Sequence, residues 1–252
     1  MRNGKSSLTG LVPKPTKAAA STHTHIRVVS TIGVKEALIA ITPYFERLTG
    51  HVLVTTFGLA SELSDQIIAG QFCDVAILTA TIADKLVKDK KIVAESRRDV
   101  ARSGLGLAVR TGAAKPDIRN ADALKRTLLA ATSIATSKYG LAGIYFMQLL
   151  DELGIADAIT PKIKFEFGSG YAAEITSRGE AELAVQLVSE ILPVNGVELV
   201  GQFPAEVQKF GILTAGISEN ARQPAAALEL IEYLVGPESA AAFLVKGLQP
   251  CG

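Results

Sequence analysis

Two kinds of hydrophobic spacing alternate along the chain from Ile26 onward. Short apolar runs rich in β-branched residues predict strands, and stretches in which apolar residues recur every three or four positions predict helices. The first six elements, alternately strand and helix, are predicted at 26–30, 34–49, 52–57, 61–69, 75–78 and 82–88. Gly50 and Gly70 follow two of these helices and are well placed to end them. This order is typical of a mostly parallel sheet flanked by helices.

The same alternation continues to the end of the chain. Further strands are predicted at 105–110, 134–136, 163–167, 183–186 and 210–215. Further helices are predicted at 121–130, 140–153, 171–177, 225–235 and 239–245. No segment rich in Pro, Gly or Ser separates two halves, so we expect two closely packed lobes joined by crossing strands. One lobe is predicted from 26–101 plus 209–252 and the other from 102–208, with a ligand cleft between them.

Composition narrows the classes of ligand. The chain has 252 residues, of which 48% are hydrophobic and 20% charged, as in a soluble globular protein with a sizeable core. Its formal net charge of +1 gives no general electrostatic reason to expect nucleic acid as a partner. No apolar run reaches transmembrane length, and we expect no membrane insertion. Any preference for anions must therefore be local.

The N-terminal segment differs in composition from the rest. Residues 1–25 are rich in Ser, Thr, Lys and Pro, and we interpret them as a disordered leader or tag. Basic residues occur there, but no apolar stretch of a signal peptide follows them. Two locations stay open: the protein is periplasmic if a signal peptide has been removed, and otherwise cytoplasmic.

The cysteines and histidines do not suggest a metal site. Cys73 and Cys251 are far apart in the chain, which is a weak argument for a disulfide, and Cys73 beside an apolar strand is predicted as a buried free thiol. The three histidines lack the spacing of metal ligands. No phosphate-binding glycine motif follows a strand, and we expect neither a metal nor a cofactor.

Ser, Thr and Gly dominate the loops that follow the predicted strands. In an open α/β sheet, ligands bind beyond the carboxyl ends of the strands. Most of these loops lead directly into a helix, whose first N–H groups are free and carry a partial positive charge. Several such helix starts at one cleft make an anion site. The alternative for any single loop is that its Ser, Thr or Gly only caps a helix.

Thirteen residues at these strand ends are predicted to contact the ligand. They are Ser30, Thr31, Gly33, Gly58, Ser61, Thr79, Ser137, Lys138, Tyr139, Gly140, Ser169, Tyr171 and Gln186. Lys138 is a cation suited to a carboxylate, unless it is a solvated surface lysine. Tyr139 and Tyr171 either donate their hydroxyls or form the wall of the cleft.

Catalytic motifs are scarce. No nucleophile elbow of the Gly-x-Ser-x-Gly type is present. Glu190, beside Ser189 and close to Gln186, is the best candidate for a general base. The alternative is that Glu190 faces solvent.

Three stretches, taken in order, carry a family resemblance. The first comprises 29–31, 35–38 and 45–50 at the first loop and helix, the second is 70–75 before the third strand, and the third is 247–250 at the C-terminus. Between 26 and 250 the chain resembles the type II periplasmic solute-binding proteins, in their molybdate-binding-like branch. The resemblance implies an α/β fold of two lobes, each a mostly parallel sheet flanked by helices, that closes on a small anion.

Five further stretches resemble a subgroup that includes bacterial aconitate isomerases alongside many solute-binding proteins. They are 117–129, 154–157, 178–182, 189–194 and 204–209. The second loop reads Gly58-Leu59-Ala60-Ser61, where molybdate binders usually carry a Ser-Gly-Ala/Ser turn. This departure, together with Lys138, favours an organic acid over a symmetrical oxyanion.

Two functions follow from this resemblance and from the loops. The first is a solute-binding protein for a small anion, a di- or tricarboxylate, with an ABC transporter permease as partner. The alternative is an isomerase that moves a proton along a tricarboxylate such as aconitate, which needs a base and an electrostatic clamp for the developing charge. A ligand-sensing domain of a larger assembly is a third function, for which we find no effector segment in this chain.

Overall fold

The computed structural model of the protein describes residues 24–251. Residues 1–23 of the predicted leader, 1–25, lie outside the described residues. His25, the last residue of that predicted leader, begins the first strand. The strands of the described part are β1 His25–Thr31, β2 Val52–Gly58, β3 Val75–Thr79, β4 Arg98–Arg110, β5 Ile134–Ser137, β6 Ile163–Glu166, β7 Leu183–Leu187, β8 Val197–Gln202, β9 Phe210–Ile217 and β10 Gln249–Pro250.

The α-helices of the same part lie mostly between successive strands. They are α1 Lys35–Thr49, α2 Ala60–Ile68, α3 Ala80–Lys88, α4 Ala121–Ala130, α5 Leu141–Glu152, α6 Ala156–Ile159, α7 Ala173–Ser177, α8 Val188–Ile191, α9 Pro224–Val235 and α10 Pro237–Val245. Gly50 ends α1 with a φ of 75°, the left-handed conformation that glycine adopts without strain. None of the helices in residues 24–251 is long and apolar enough to cross a membrane.

The strands form two lobes, which confirms the predicted fold. Their order is β2-β1-β3-β9-β4-β7-β5-β6. Strands β2, β1 and β3 run parallel in the first lobe, and β7, β5 and β6 run parallel in the second. Strands β9 and β4, which join the lobes, run antiparallel to their neighbours.

Strand β4 belongs to both lobes. Its first half, 98–104, pairs with β9, and its second half, 105–110, pairs with β7 and β8. At the crossing, Gln208 Oε1 accepts a hydrogen bond of 2.8 Å from the N–H of Leu105, and its Nε2 donates one of 3.1 Å to the Leu105 carbonyl. The predicted lobe limits, 26–101 with 209–252 and 102–208, stay a prediction.

Each lobe has its own hydrophobic core. In the first, Phe45 of α1 and Phe243 of α10 pack over β1 and β3. In the second, Phe146 of α5 packs with Leu105 and Leu107 of β4. Burying one such side chain contributes about 1.5–3 kcal/mol. Two cores joined through one strand pair leave room for a cleft between them.

A buried carboxylate anchors the first lobe. Asp74, just before β3, accepts hydrogen bonds from the backbone N–H groups of Arg27 at 2.8 Å, Arg222 at 2.8 Å and Gln223 at 2.9 Å. These bonds tie β1 to the start of α9. The preceding residue, Cys73, is a buried free thiol as predicted, and burial raises its pKa to about 11.

Several elements were not predicted from the sequence. They include β8 and the first half of β4, where Arg98, Asp99 and Arg102 interrupt the apolar pattern. Both are strands because they pair with segments far away in the chain. Strand β8 pairs with β4, and residues 98–104 pair with β9. Pairing of this kind leaves little trace in local hydrophobic spacing.

Candidate functional site

A cavity lies between the two lobes. Its empty volume is about 540 Å³, including space open to solvent, within the range of about 300–1,000 Å³ that is usual for small-molecule sites. It is lined by Thr31, Ile32, Gly33, Leu59, Ala60, Ser61, Thr79, Ile82, Tyr139, Gly140, Leu141, Ile144, Leu187, Glu190 and Leu213. The wall is therefore built at the carboxyl ends of β1, β2, β3, β5 and β7, where ligands of α/β proteins bind.

Three α-helices of nine or more residues start at this wall. Leu59, Thr79 and Gly140 are the residues that precede α2, α3 and α5, and no side chain of these three forms a capping hydrogen bond within the described part of the chain. Free N–H groups and the positive ends of the helix dipoles therefore lie beside the cavity. No lysine or arginine in residues 24–251 belongs to the lining. An anion here would meet backbone dipoles and hydroxyl groups instead of formal positive charge.

The start of α5 is held tightly against the end of β5. Ser137 is buried, and its Oγ accepts a hydrogen bond of 3.2 Å from the N–H of Gly143. A side-chain carbon at Gly143 would collide with the carbonyl oxygen of Ser137, so glycine is needed for this close approach. Ser137 thus satisfies one of the free N–H groups of α5 and is not on the cavity wall.

Glu190 is the one acidic residue among the described residues that line the cavity. Its exposed fraction is only 6%, so the alternative that it faces solvent is wrong. It is the third residue of α8. Its carboxyl group accepts a hydrogen bond from the N–H of Leu187, the residue that precedes this helix. The side chain of Gln186 donates a second hydrogen bond, of 3.2 Å, to Glu190 Oε2.

Burial raises the pKa of Glu190 to about 7. The hydrogen bonds from the N–H of Leu187 and from Gln186 lower the pKa, and the negative charge of Glu166 raises it further, but burial outweighs both. A carboxyl group with this pKa exists in both protonation states near neutral pH. It can therefore donate a hydrogen bond to an anion or take a proton from a ligand.

Gly33 of the first lobe faces Glu190 of the second. A side-chain carbon built at Gly33 would lie 3.7 Å from Glu190 Oε1 and 3.5 Å from side-chain carbons of Leu187 and Leu213. These are ordinary contact distances, so glycine is not required here by the fold. Its lack of a side chain instead keeps open the space in front of the carboxyl group.

The structure brings together about half of the predicted ligand contacts. On the cavity wall lie Thr31, Gly33, Ser61, Thr79, Tyr139 and Gly140. Off the wall lie Ser30, Gly58, Ser137, Lys138, Ser169, Tyr171 and Gln186. Contact with a ligand stays a prediction for both sets.

Lys138 points to an aromatic ring and not to the cavity. Its side chain is exposed, and Nζ lies 4.3 Å from the centroid of the Phe165 ring on β6. A contact of this geometry stabilises the ammonium by about 0.5–1 kcal/mol at an exposed site.

A second group of polar residues joins the lobes outside the cavity wall. The hydroxyl of Tyr171 donates a hydrogen bond of 3.0 Å to Glu36 Oε1 on α1. Lys35 Nζ lies 5.6 Å from the Tyr171 ring centroid and 5.9 Å from that of Phe57 on β2. Burial, and then the charge of Glu36, raise the pKa of Tyr171, which keeps its hydroxyl a donor. Sequence reasoning missed Lys35 and Glu36, because two charges at a helix start are typical of a solvated face.

The apolar part of the wall was also missed. It consists of Ile32, Leu59, Ala60, Ile82, Leu141, Ile144, Leu187 and Leu213. Ile82 and Ile144 lie in the first turns of α3 and α5, and this position beside a predicted ligand loop is a signal that could have found them. Apolar walls limit the access of water and strengthen each polar contact inside the cavity. Within residues 24–251, no group of three or more His, Cys, Asp or Glu side chains could hold a metal ion.

The chain is similar to known bacterial proteins along most of its length. The family described as bacterial extracellular solute-binding protein matches residues 26–249. An aconitate isomerase from a Pseudomonas species is 31% identical over 238 residues, which cover 92% of this chain and 90% of that protein. The molybdate-binding protein ModA of Escherichia coli K12 is 25% identical over 222 residues, which cover 86% of each protein.

Solved structures share the fold. The periplasmic molybdate-binding protein of Azotobacter vinelandii has a TM-score of 0.76 at 22% identity and covers 88% of this chain and 98% of its own. The sulfate-binding protein SubI of Mycobacterium tuberculosis H37Rv has a TM-score of 0.74 at 15% identity, with 91% and 88% covered. Together with the match over residues 26–249, the 31% identity over 92% of the chain shows that this protein belongs to the bacterial extracellular solute-binding protein family.

Proposed function

We propose that the protein binds a small di- or tricarboxylate in the cavity between its lobes. The observation that carries this proposal is the buried carboxyl group of Glu190 on the cavity wall. An ionised Glu190 would repel any anion, whereas a protonated Glu190 donates a hydrogen bond to one. Beside the apolar wall of the cavity, this donor suits a carboxylate group on a carbon skeleton, and the ligand carboxylate and Glu190 then share one proton.

The rest of the wall supports an organic ligand. The starts of α2, α3 and α5, with the hydroxyls of Ser61 and Thr79, supply donors for a carboxylate. Ile82, Ile144 and Leu213 supply an apolar surface for a carbon skeleton, which a tetrahedral oxyanion lacks. The 31% identical relative is named for a tricarboxylate, aconitate.

The family also supports a location and a partner. Its description is that of extracellular proteins. We therefore propose that the protein works in the periplasm after removal of a signal peptide and delivers its ligand to an ABC transporter permease. No membrane-spanning helix within residues 24–251 is needed for that role.

Thermal unfolding with added ligands tests the binding proposal. Citrate, tricarballylate, cis-aconitate and trans-aconitate are compared with sulfate and molybdate on the purified protein. A ligand that binds only the folded state raises Tm in a concentration-dependent way. The proposal expects this rise with at least one carboxylate. A rise with sulfate or molybdate alone would overturn it.

A specific observation favours a second function, isomerisation of a tricarboxylate. Near pH 7 the buried carboxyl group of Glu190 is close to its pKa, so it can both accept and return a proton, as a proton-transferring group should. In this scheme Glu190 takes an allylic proton, the double bond moves by one position, and the proton returns to the other carbon. The helix starts stabilise the charge that develops on the carboxylate.

Proton NMR in deuterated water separates the two functions. An isomerase interconverts cis- and trans-aconitate, and Glu190→Gln abolishes the conversion while the variant still binds ligand. Binding without conversion leaves the solute-binding function alone. Conversion that survives Glu190→Gln retains an isomerase but removes Glu190 as its base.

A further inference from the structure

Gln186 lies behind Glu190, on the side away from the cavity. It is on β7, fully buried, and it does not belong to the cavity lining. Its Oε1 accepts a hydrogen bond of 2.8 Å from the N–H of Ala173, the first residue of α7. Its Nε2 donates a hydrogen bond of 3.2 Å to Glu190 Oε2. One amide group thus connects a helix start to the acidic group of the cavity.

The orientation of this amide group is determined by its partners. A glutamine amide has an oxygen that accepts and a nitrogen that donates. The N–H of Ala173 can only donate, so it requires the oxygen. The nitrogen must then face Glu190, and the reverse orientation would bring two donors together at Ala173. Glu190 therefore always meets a donor from this side.

We propose that Gln186 is a positioning residue, which holds the Glu190 carboxyl group against the cavity and sets how readily it releases a proton. The inference rests on the proposed function for its biological meaning, since Glu190 matters there as the proton-sharing group. It assigns Gln186 an indirect role, in place of the ligand contact predicted from the sequence.

The electrostatic surroundings of Glu190 make the role of Gln186 measurable. Glu166, the last residue of β6, adds a negative charge that raises the pKa of Glu190. Tyr171, before α7, is electrostatically coupled to Glu190 but keeps a neutral hydroxyl. The stabilising contacts are the N–H of Leu187 and the amide of Gln186. Removal of the Gln186 donor should therefore raise the pKa of Glu190.

Two variants and one control test this effect. Gln186→Met has a similar length but removes both hydrogen bonds. Gln186→Glu keeps an acceptor for Ala173 and removes the permanent donor, so it preserves the start of α7 if the first variant folds poorly. Thr136→Val is the control, because Thr136 is equally buried on the neighbouring strand β5 and its hydroxyl bonds only the Val185 carbonyl, at 2.9 Å.

The measurement is an NMR titration of the side-chain carboxyl carbon of Glu190 in the ligand-free protein, assigned by comparison with Glu190→Gln. In Gln186→Met the midpoint should rise by about one pH unit. In Gln186→Glu the two carboxyl groups should titrate as a pair, with the upper midpoint above that of the wild type. In Thr136→Val the midpoint should stay at the wild-type value.

A second measurement connects this result to binding. The pH at which affinity for trans-aconitate falls by half should move upward with the Glu190 midpoint in Gln186→Met. A wild-type midpoint in both Gln186 variants would overturn the inference. If trans-aconitate and the other carboxylates do not bind the wild type, the proposed function fails, but the ligand-free titration still decides the role of Gln186.

Discussion

The hydroxyl of Tyr171 and the carboxylate of Glu36 form a hydrogen bond of 3.0 Å that joins the two lobes. Glu36 belongs to α1, which packs against β2, and Tyr171 precedes α7, which packs against β7. The ammonium of Lys35 lies over the same tyrosine ring, at 5.6 Å. These three side chains hold the lobes together beside the cavity without lining it.

Tyr171→Phe should therefore weaken ligand binding without altering the cavity wall. The loss of one hydrogen bond to a charged group costs about 1.5–3 kcal/mol, and part of this energy stabilises the closed lobes. We expect a fall in carboxylate affinity of roughly ten-fold, mainly through faster release, measured by calorimetry and stopped-flow kinetics.

Tyr44→Phe is the control for this prediction, because Tyr44 is an exposed tyrosine on the same helix α1. Equal affinities in the two variants would show that the bond between Tyr171 and Glu36 contributes nothing to closure.

Gly33→Ala should reduce binding with little effect on folding. The added methyl group would meet Leu187, Leu213 and Glu190 at 3.5–3.7 Å, which the fold tolerates, but it would fill space in front of the acidic group. A single extra carbon in a ligand pocket changes affinity by about ten-fold or more. Calorimetry measures the affinity, and thermal unfolding measures the stability.

Gly201→Ala is the matched control, since its methyl group would meet Ile118 at 3.5 Å, away from the cavity wall. If Gly33→Ala binds carboxylates as tightly as Gly201→Ala does, the ligand does not occupy the space between Gly33 and Glu190.

Glu190 should make the stability of the protein depend on pH. Burial raises its pKa from 4.5 to about 7, so between these values the folded chain holds a proton that the unfolded chain has released. This contribution to the free energy of unfolding is fully present below pH 4.5 and is lost as the pH rises through about 7. The loss amounts to at most about 3 kcal/mol.

The Glu190→Gln variant has no carboxyl group at this position, so its free energy of unfolding should not show this decrease. Urea unfolding at about pH 5 and at about pH 8 measures the difference. The control is Glu206→Gln, which removes an exposed glutamate. If the free energy of unfolding falls by the same amount in the wild type and in Glu190→Gln, groups other than Glu190 cause the fall.

Asp74→Asn should destabilise the first lobe. The three N–H donors around Asp74 would meet an amide with a single acceptor oxygen, and at least one donor would lose its partner. We expect the free energy of unfolding to fall by roughly 2–4 kcal/mol, measured by urea unfolding. The control is Asp65→Asn on the exposed face of α2, which should change the free energy of unfolding by less than about 0.5 kcal/mol. An equally small change in Asp74→Asn would contradict the anchoring role of Asp74.

Local patterns in the sequence were sufficient for much of the architecture. The spacing of Ala37, Leu38, Ile41 and Phe45 predicts α1, and Gly50 predicts its end. The rule that ligands bind beyond the carboxyl ends of strands selected Thr31, Thr79 and Gly140, which line the cavity. Such features depend on residues close together in the chain, where periodicity and backbone preference act directly.

The function of individual side chains depended on contacts between distant segments. Whether Glu190 faces solvent or the cavity is decided by the packing of α8 between the lobes. Gln186 acquires its partner Ala173, and Tyr171 its partner Glu36, only through the tertiary fold. Lys138 follows a strand as a ligand residue would, yet its ammonium lies over Phe165 of the adjacent strand.

The sequence by itself therefore determined most of the elements, the two-lobed class of fold and the strand ends at which a site forms. The tertiary structure alone decided which side chains at those ends turn inward and how readily Glu190 holds a proton. The physical reason is range: hydrophobic spacing and helix capping act within a few residues. Burial and hydrogen bonding instead depend on which residues the fold places next to a side chain. At Glu190 these residues include Gln186, which donates a hydrogen bond, and Gly33, which leaves space in front of the carboxyl group.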